Sequence, residues 1–344
     1  MASSMATRSK SRVPRVPGER ATRAVTGDRS PRLGLALGGG GARGIAHILM
    51  LEVFDELGIK PSYIVGTSIG AIYGAAYAAG LSAEHIRAHT EEILSQRLDL
   101  IRQLVGARAQ PISRLFNFLP VRAGMLDAVA VLDVVLPARM PTEFAELPIP
   151  LAVVATDFHA QDAVLLASGK LKPAVAASMA LPALFAPVTV DGRSLIDGGL
   201  VNPLPFDLLP GDSELSVAID VSGGAREQVN GDPSALDALF ASTQILQRSI
   251  VREKLKSVQP DIYIDSTVDH FHMVDFLKFR EILKSAAPAK DALKRQLGRI
   301  MSAQTVVPAL PAPAPASDRQ RASPGPRRAL LLRRRRPASE EPRE

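Results

Sequence analysis

The strongest constraint on the fold is an alternation of short apolar runs and helix-patterned segments between residues 33 and 80. Leu33–Leu37 is an apolar run that ends in glycines, and Tyr63–Val65 is a second apolar run that leads into a glycine-rich turn. A helical pattern follows each of them, over Arg43–Leu57 and Ile69–Ala79. Strands that alternate with helices in this way form parallel sheets, so the sequence predicts an α/β fold with a mainly parallel central sheet.

The same alternation continues to about residue 305, where we expect the fold to end. The sequence predicts helices over Glu84–Val105, Asp127–Leu136, Lys172–Met179 and Asp275–Ile300, and strands over Pro150–Thr156, Ala163–Ala167, Leu195–Ile196, Val217–Val221 and Asp261–Asp265. We therefore predict one domain over residues 33–304.

The basic charge of the chain is concentrated at its two ends. Residues 1–32 carry eight basic and two acidic side chains, and residues 305–344 carry nine arginines and four acidic side chains. Because the whole chain has a net charge of +6, residues 33–304 have a net charge of −5. The sequence thus predicts a basic disordered tail over 1–32 and a Pro/Ala- and Arg-rich disordered tail over 305–344. An acidic domain argues against a nucleic-acid partner.

The absence of cysteine limits the kinds of site that the chain can form. It excludes disulfides, thiolate zinc sites and a cysteine nucleophile.

Two uncharged runs, Pro61–Ala83 and Pro173–Val190, are interrupted by glycines or prolines and fall short of the roughly 20 unbroken apolar residues of a spanning helix. Residues 1–32 have no apolar stretch of the kind found in a secretory signal. We expect a cytoplasmic protein, and peripheral contact with the inner membrane face through the basic tails stays open.

A serine stands on a predicted strand-to-helix turn. Ser68 lies between Gly66 and Gly70 in the pattern Gly-x-Ser-x-Gly. A serine hydroxyl becomes a useful nucleophile when it is exposed, oriented and given a base, and a sharp turn with small flanking residues achieves the exposure. The pattern therefore predicts a nucleophile elbow at Ser68.

The glycine loop that precedes the first predicted helix suits the binding of an anion. Backbone N–H groups of Gly39, Gly40 and Gly41 can converge on the oxygen that becomes negative during attack on an ester, and Arg43 is expected to shape or reinforce the site. Residues 39–44 also satisfy the dinucleotide pattern G-x-G-x-x-G, but the second strand is not followed by the ribose-binding acid. A Walker loop is excluded because no Gly-Lys-Ser/Thr follows. We predict an oxyanion hole, with no nucleotide, cofactor or metal.

The base has two alternative sources in the sequence. Asp197 follows an apolar run and precedes a Gly-Gly pair, which is the setting of a carboxylate held at a strand end. His270 and His272 come later in the chain, so the order Ser68, Asp197 and one of these histidines would also suit an α/β-hydrolase triad. In that fold, however, the oxyanion loop and the nucleophile lie on more distant strands.

These motifs resemble the patatin-like phospholipase family. Four segments carry the likeness: Gly-Gly-Gly-x-Arg-Gly at 39–44, Gly-x-Ser-x-Gly at 66–70, Asp-Gly-Gly at 197–199, and Ala-Ser-x-x-x-Pro-x-x-Phe-x-Pro at 177–187. The chain is most similar to the short bacterial branch related to neuropathy target esterase. Many members begin the glycine loop with Asp, where this chain has Gly38.

The resemblance implies a three-layer α/β/α patatin-like fold and a Ser–Asp dyad without histidine. Ser68 would attack the acyl carbonyl, and Asp197 would take its proton and later activate water. The implied substrates are phospholipids, lysophospholipids or other fatty acyl esters. Two other functions stay open. One is a carboxylesterase or thioesterase for smaller soluble acyl substrates, and the other is a catalytically inactive lipid-binding or scaffold protein on the same fold.

Overall fold

A sheet of eight strands forms the centre of the part of the chain that the structure describes. The structure is a computed structural model, and it describes residues 31–106, 121–122, 125–224 and 235–305. In chain order its strands are β1 (Leu33–Leu37), β2 (Tyr63–Thr67), β3 (Val121–Arg122), β4 (Met125–Leu126), β5 (Leu151–Asp157), β6 (Asp162–Leu166), β7 (Val188–Val190), β8 (Arg193–Asp197), β9 (Leu215–Asp220) and β10 (Ile262–Asp265). All but β3 and β4, which pair with each other, belong to the central sheet.

The helices fill most of the remaining described chain. They are α1 (Ala46–Glu56), α2 (Ile69–Ala78), α3 (Ala83–Gly106), α4 (Ala128–Val135), α5 (Leu171–Ser178), α6 (Ala235–Ser257) and α7 (Phe279–Thr305). Short 3₁₀ turns lie at Gly41–Ile45, Phe144–Glu146, Gly198–Leu200, Phe206–Leu208 and Phe276–Lys278.

The register of the sheet brings the ends of β2 and β8 to the same level. The strand order is β10-β9-β1-β2-β5-β8-β7, with β6 also paired to β5. The first five strands are parallel, whereas β8 and β6 run antiparallel to β5. Thr67 pairs with Val154, and the next residue of β5, Ala155, pairs with Asp197. Ser68 directly follows Thr67 and therefore lies at the same level of the sheet as Asp197. The two residues lie at the ends of strands that run in opposite directions.

Two apolar cores cover the two faces of the sheet. Because successive side chains of a strand point to opposite faces, Leu35 and Leu37 belong to the larger core, which contains α1, α2 and α7. Ala36 and Val65 point the other way, into a smaller core that α6 covers with Val251. The three layers are thus helix, sheet and helix, with most helices on one face. This confirms the predicted α/β fold with a mainly parallel sheet.

Most predicted elements are confirmed within a few residues, but the short strands β3, β4 and β7 and the long helix α6 have no counterpart among them. The buried face of α6 carries Gln244, Gln247 and Val251, whereas Ile245 and Leu246 are exposed. The apolar residues of this segment therefore do not follow the face of the helix that packs on the sheet. For this reason the sequence pattern does not predict the helix. A smaller correction applies to the first predicted helix, because a 3₁₀ turn occupies Gly41–Ile45 before α1 begins.

The two predicted tails lie almost wholly outside the described residues. Only residues 31, 32 and 305 of those two segments are described. None of the described helices combines the length and the apolar character that crossing a membrane requires.

Candidate active site

The turn between β2 and α2 holds Ser68 in a conformation that few side chains adopt. Its φ is 54° and its ψ is −121°, so the backbone lies at positive φ at a residue other than glycine. The flanking glycines make this turn sterically possible. A Cβ at Gly66 would lie 2.6 Å from the carbonyl oxygen of Gly70, and a Cβ at Gly70 would lie 2.2 Å from the carbonyl oxygen of Leu37. The predicted sharp turn at 66–70 is therefore present, and it packs directly on the end of β1.

Ser68 and Asp197 are joined by a direct hydrogen bond. The Oγ of Ser68 donates to the Oδ2 of Asp197 at 2.7 Å. The other carboxylate oxygen, Oδ1, accepts the N–H of Gly199 at 2.7 Å. The Asp197 carbonyl accepts the hydroxyl of Thr156 at 2.8 Å, which ties the end of β8 to β5. One oxygen of the carboxylate is thus held by backbone and the other faces the serine.

Burial changes the acidity of this carboxyl group. The Asp197 side chain is almost fully buried, and burial raises its pKa from the ordinary 3.8 to about 6. The hydrogen bonds from Ser68 and Gly199 act in the opposite direction, because they stabilise the charged form. A carboxylate with a pKa of about 6 is a stronger proton acceptor than an exposed aspartate, and it is still ionised at neutral pH.

Ser178 holds the turn at Ser68 in place through hydrogen bonds. It is not among the site residues predicted from the sequence. Its hydroxyl donates to the carbonyl of Val154 at 2.6 Å and accepts the backbone N–H of Ser68 at 2.9 Å. The side chain is fully buried at the end of α5. The motif at 177–187 was the available signal, since Ser178 is its serine. The two hydrogen bonds show that this residue holds the backbone of Ser68 against β5.

The glycine loop crosses the same end of the sheet as Ser68. The N–H of Gly38 donates to Ile219 and that of Gly39 to Pro203, at 3.0 and 2.8 Å. Within the described part of the chain, we find no hydrogen-bond acceptor for the N–H groups of Gly40 and Gly41. Both residues line the cavity that contains Ser68. Of the three predicted donors, Gly40 and Gly41 thus have amides open to a ligand, while the amide of Gly39 is engaged.

Close approach to neighbouring backbone explains why Gly40 and Gly41 are glycines. A Cβ at Gly40 would lie 2.3 Å from the carbonyl oxygen of Val221, and a Cβ at Gly41 would lie 2.3 Å from that of Met273. Gly41 also has a φ of 59°. A larger residue at either position would force the backbone to shift, because the nearest atoms are main-chain carbonyl oxygens.

Arg43 is fully buried behind the loop rather than exposed to the cavity. Its Nε donates to the carbonyl oxygen of Gly40 at 3.1 Å. Because the C=O of Gly40 and the N–H of Gly41 belong to one planar trans peptide, fixing the carbonyl turns that N–H to the opposite side. The guanidinium therefore sets the orientation of the Gly41 amide.

His47 anchors the start of the loop. Its Nε2 lies 2.8 Å from the carbonyl oxygen of Gly38, which can only accept, so Nε2 carries the hydrogen. Burial lowers the pKa of His47 to about 4, so the ring is neutral at neutral pH. His270 and His272 are exposed, and neither lines the cavity that holds Ser68 and Asp197.

A largely apolar cavity of about 410 Å³ opens above the Ser68–Asp197 pair. Its walls come from α2, α3, α4, the segment after α5 and the loop before α7. Val131, Leu181 and Phe185 are typical of the lining, and Gln247 of the unpredicted helix α6 is one of its few polar residues. Among the described residues, no group of three or more histidine, aspartate or glutamate side chains is placed to hold a metal ion.

Comparison with protein families identifies the family of the chain. The family model for patatin-like phospholipases matches residues 35–210, which is just over half of the chain. The chain belongs to the patatin-like phospholipase family. The matched region contains the glycine loop, the turn at Ser68, Ser178 and Asp197.

Curated relatives of this family member include both bacterial and mammalian proteins. An uncharacterized NTE family protein of Mycobacterium tuberculosis is 40% identical over 200 residues, covering 58% of this chain and 51% of the relative. Patatin-like phospholipase domain-containing protein 7 of Rattus norvegicus is 27% identical over 290 residues, covering 76% of this chain and 20% of the relative. The match therefore spans about half the length of this mycobacterial relative and about a fifth of the length of the rat protein.

The solved structures to which the chain is similar are distant from it. The crystal structure of VipD from Legionella pneumophila has a TM-score of 0.37 at 14% identity, covering 76% of this chain and 66% of that one. Human GIVD cytosolic phospholipase A2 also has a TM-score of 0.37, at 12% identity, covering 80% and 59%. The family assignment rests on the family model and not on these superpositions.

Proposed function

We propose that this chain is a serine acyl hydrolase that cleaves fatty acyl esters with a Ser68–Asp197 dyad. The observation that carries the proposal is the 2.7 Å hydrogen bond from Ser68 Oγ to Asp197 Oδ2. A hydroxyl that donates directly to a carboxylate needs no imidazole to remove its proton. Membership of the patatin-like phospholipase family supports lipid acyl hydrolysis as the reaction class.

The proposed reaction has two halves. Ser68 Oγ attacks the acyl carbonyl carbon while its proton passes to Asp197 Oδ2, and the leaving alcohol takes that proton as the ester bond breaks. Water then gives a proton to Asp197 and attacks the acyl-serine, which releases the fatty acid and restores the hydroxyl. The N–H of Gly199 keeps the carboxylate aligned through Oδ1 in both halves.

We place the oxyanion hole at the N–H groups of Gly40 and Gly41. Their position in the cavity beside Ser68 supports this placement. Arg43 is a positioning residue, since it touches the carbonyl of Gly40 and not the reacting atoms. The N–H of Gly39 donates a hydrogen bond to the carbonyl of Pro203, so it is not a donor to the substrate in this scheme. Gly39 instead supports the loop by packing closely on Ser68 and Thr67.

The shape and lining of the cavity support a long apolar acyl group as substrate. A small soluble ester would leave most of a 410 Å³ apolar cavity unused, whereas a fatty acyl chain would fill it. We therefore favour phospholipids, lysophospholipids or other fatty acyl esters over small carboxylic esters and thioesters. No residue in this scheme calls for a cofactor.

The tails suit contact with a membrane surface. Residues 1–32 and 305–344 have net charges of +6 and +5. Basic segments are attracted to the anionic cytoplasmic leaflet. We propose a catalytic domain over 33–304 that works in the cytoplasm and meets the inner membrane face through these tails.

Covalent labelling tests the nucleophile directly. A fluorophosphonate ester should modify the wild type at Ser68, as mass spectrometry of the digested protein would show, and Ser68→Ala should stay unlabelled. Ser62→Ala is the matched control, because Ser62 donates its hydroxyl to Leu33 and lies outside the cavity. Labelling at another serine, or none in folded wild type, would refute the proposal.

A further inference from the structure

A second, smaller apolar cavity adjoins the one that holds Ser68. Its volume is about 100 Å³. The two cavities share six lining residues, so little more than these side chains separates the two spaces: Ile69, Ile72, Ile93, Leu94, Val135 and Phe276. The smaller cavity therefore lies directly beside the larger one, behind a shared wall of apolar side chains.

Helix α2 leads from the serine to this smaller cavity. Ile69, Ile72, Tyr73 and Ala76 follow Ser68 at helical spacing and line one or both cavities. Ala76 lines only the smaller one. With a rise of 1.5 Å per residue, Ala76 lies about 12 Å along the helix axis from Ser68. A chain attached to Ser68 that follows this face would pass Ile69 and Ile72 before it reached Ala76.

The polar side chains that line the smaller cavity already have partners. Thr90 donates its hydroxyl to the carbonyl of Ile86 at 2.7 Å, and the Nε2 of His89 lies 3.0 Å from the carbonyl oxygen of Val135. Tyr73 and Thr90 are also hydrogen-bonded to each other. The lining is therefore suited to hydrocarbon. An engineered apolar cavity of about 150 Å³ stays dry and takes up small apolar molecules, which is the same order of size.

We propose that the smaller cavity receives the methyl end of a long acyl chain and sets the chain-length preference of the enzyme. This inference rests on the proposed function, since it assumes an acyl group on Ser68. Ala76, on α2, and Ile86, on α3, determine the depth of the compartment, because both line the smaller cavity and neither lines the larger one. Short acyl chains end before the shared wall and do not sense either residue.

Two substitutions with opposite effects test the proposal. Ala76→Leu fills the compartment, and we expect kcat/KM for laurate and palmitate esters to fall at least ~10-fold while butyrate changes less than ~2-fold. Each methylene that is no longer buried costs about fourfold, the equivalent of ~0.8 kcal/mol. Ile86→Ala enlarges the compartment and should shift the preference toward longer chains.

The matched control is Ala79→Leu, at the end of the same helix and outside both linings. It should keep the wild-type profile. Thermal unfolding of each variant confirms that the protein is folded in the assay. An unchanged profile in both Ala76→Leu and Ile86→Ala, or the same shift in Ala79→Leu, would overturn the proposal.

A binding assay separates this proposal from the proposed function. If folded wild type hydrolyses none of the esters, the hydrolase assignment fails, and calorimetric titration with octanoate and laurate tests the compartment alone. Ala76→Leu should then weaken laurate binding more than octanoate binding. Equal weakening of the two, or no binding of either fatty acid by wild type, would overturn the compartment as well.

Discussion

At the scale of single residues, the central feature is a carboxylate that is buried but not neutralised by a cation. Asp197 has a serine hydroxyl on one oxygen and a backbone N–H on the other, and no cation is among the causes of its pKa shift. Burial therefore dominates and raises the pKa to about 6. The same burial that makes the group a better base makes its ionised form costly to the fold.

The pH dependence of activity follows from that pKa. A general base works when it is deprotonated, so kcat/KM should rise with pH through about 6 and then level off. A histidine base would give a similar inflection, so the profile is measured in wild type and in the double variant His270→Ala/His272→Ala. The inflection should persist in the double variant. Its loss there, or a wild-type profile already flat above about pH 5 (about one unit above the ordinary value of Asp), would contradict this assignment.

The stability of the protein should increase when this charge is removed. The folded pKa of Asp197 lies above its ordinary value of 3.8, so folding is penalised when the group ionises, and the penalty is full above about pH 6 and absent below 3.8. Asp197→Asn should raise the free energy of unfolding at pH 8 by ~1–3 kcal/mol and leave it nearly unchanged near pH 3.5. Urea denaturation at both pH values measures the difference.

A second aspartate provides the control for that measurement. Backbone N–H groups of Ala160 and His159 lower the pKa of the half-buried Asp157, with that of Ala160 as the main cause. Its ionised form therefore favours folding, and Asp157→Asn should give no gain at pH 8. Equal gains from both substitutions would show that the effect does not come from the burial of Asp197.

At the scale of elements, the site depends on how closely α2 meets the end of β1. A Cβ at Gly70 would lie 2.2 Å from the carbonyl oxygen of Leu37, which is backbone and cannot turn aside. We expect Gly70→Ala to lower the free energy of unfolding by about 2–4 kcal/mol or to prevent folding. Chemical denaturation measures the loss.

A glycine in an open helical position is the matched control for Gly70. Nothing lies within 4 Å of a Cβ at Gly298, in α7. Gly298→Ala should raise the free energy of unfolding by ~0.5–1 kcal/mol, because alanine is the better helix former. If Gly70→Ala were as stable as wild type, the tight turn would not be what holds Ser68 in place.

Elements with local signals could be predicted from the sequence, and elements defined by tertiary contacts could not. The run from β1 to α2 has glycines at each turn and apolar residues inside each strand, so its pattern and its structure agree. Helix α6 buries Gln244 and Gln247 and exposes Ile245, which reverses the usual pattern. Ser178 was within a quoted motif, but its role needs the spatial neighbourhood of Ser68 and Val154.

The same distinction applies inside the site. The sequence could assign Ser68, Asp197 and the glycine loop to one reaction, and the structure brings Ser68 and Asp197 into contact. It could not distinguish Gly39, whose N–H is bonded to Pro203, from Gly40 and Gly41. It also could not show that Arg43 acts on a carbonyl from behind the loop, because that depends on the path of the backbone.

At the scale of the whole molecule, the described strands and helices and most of the excess basic charge lie in different parts of the chain. Residues 31–305 contain all the described strands and helices. We expect a protein trimmed to these residues to unfold at the same temperature as the full chain. We also expect it to bind less to vesicles that contain phosphatidylglycerol, because most of the basic tail residues are gone. Vesicles of phosphatidylcholine alone are the control, and undiminished co-sedimentation with the anionic vesicles would exclude the tails as the contact.

The most direct test of the dyad compares hydrolysis of lysophosphatidylcholine and a fatty acyl ester by wild type, Ser68→Ala, Asp197→Asn and His270→Ala/His272→Ala. We predict that the first two variants lose ~10³-fold or more in kcat/KM while they remain folded, and that the histidine variant keeps the activity of wild type. A folded histidine variant that is as inactive as Ser68→Ala would contradict the dyad and require a histidine in the mechanism.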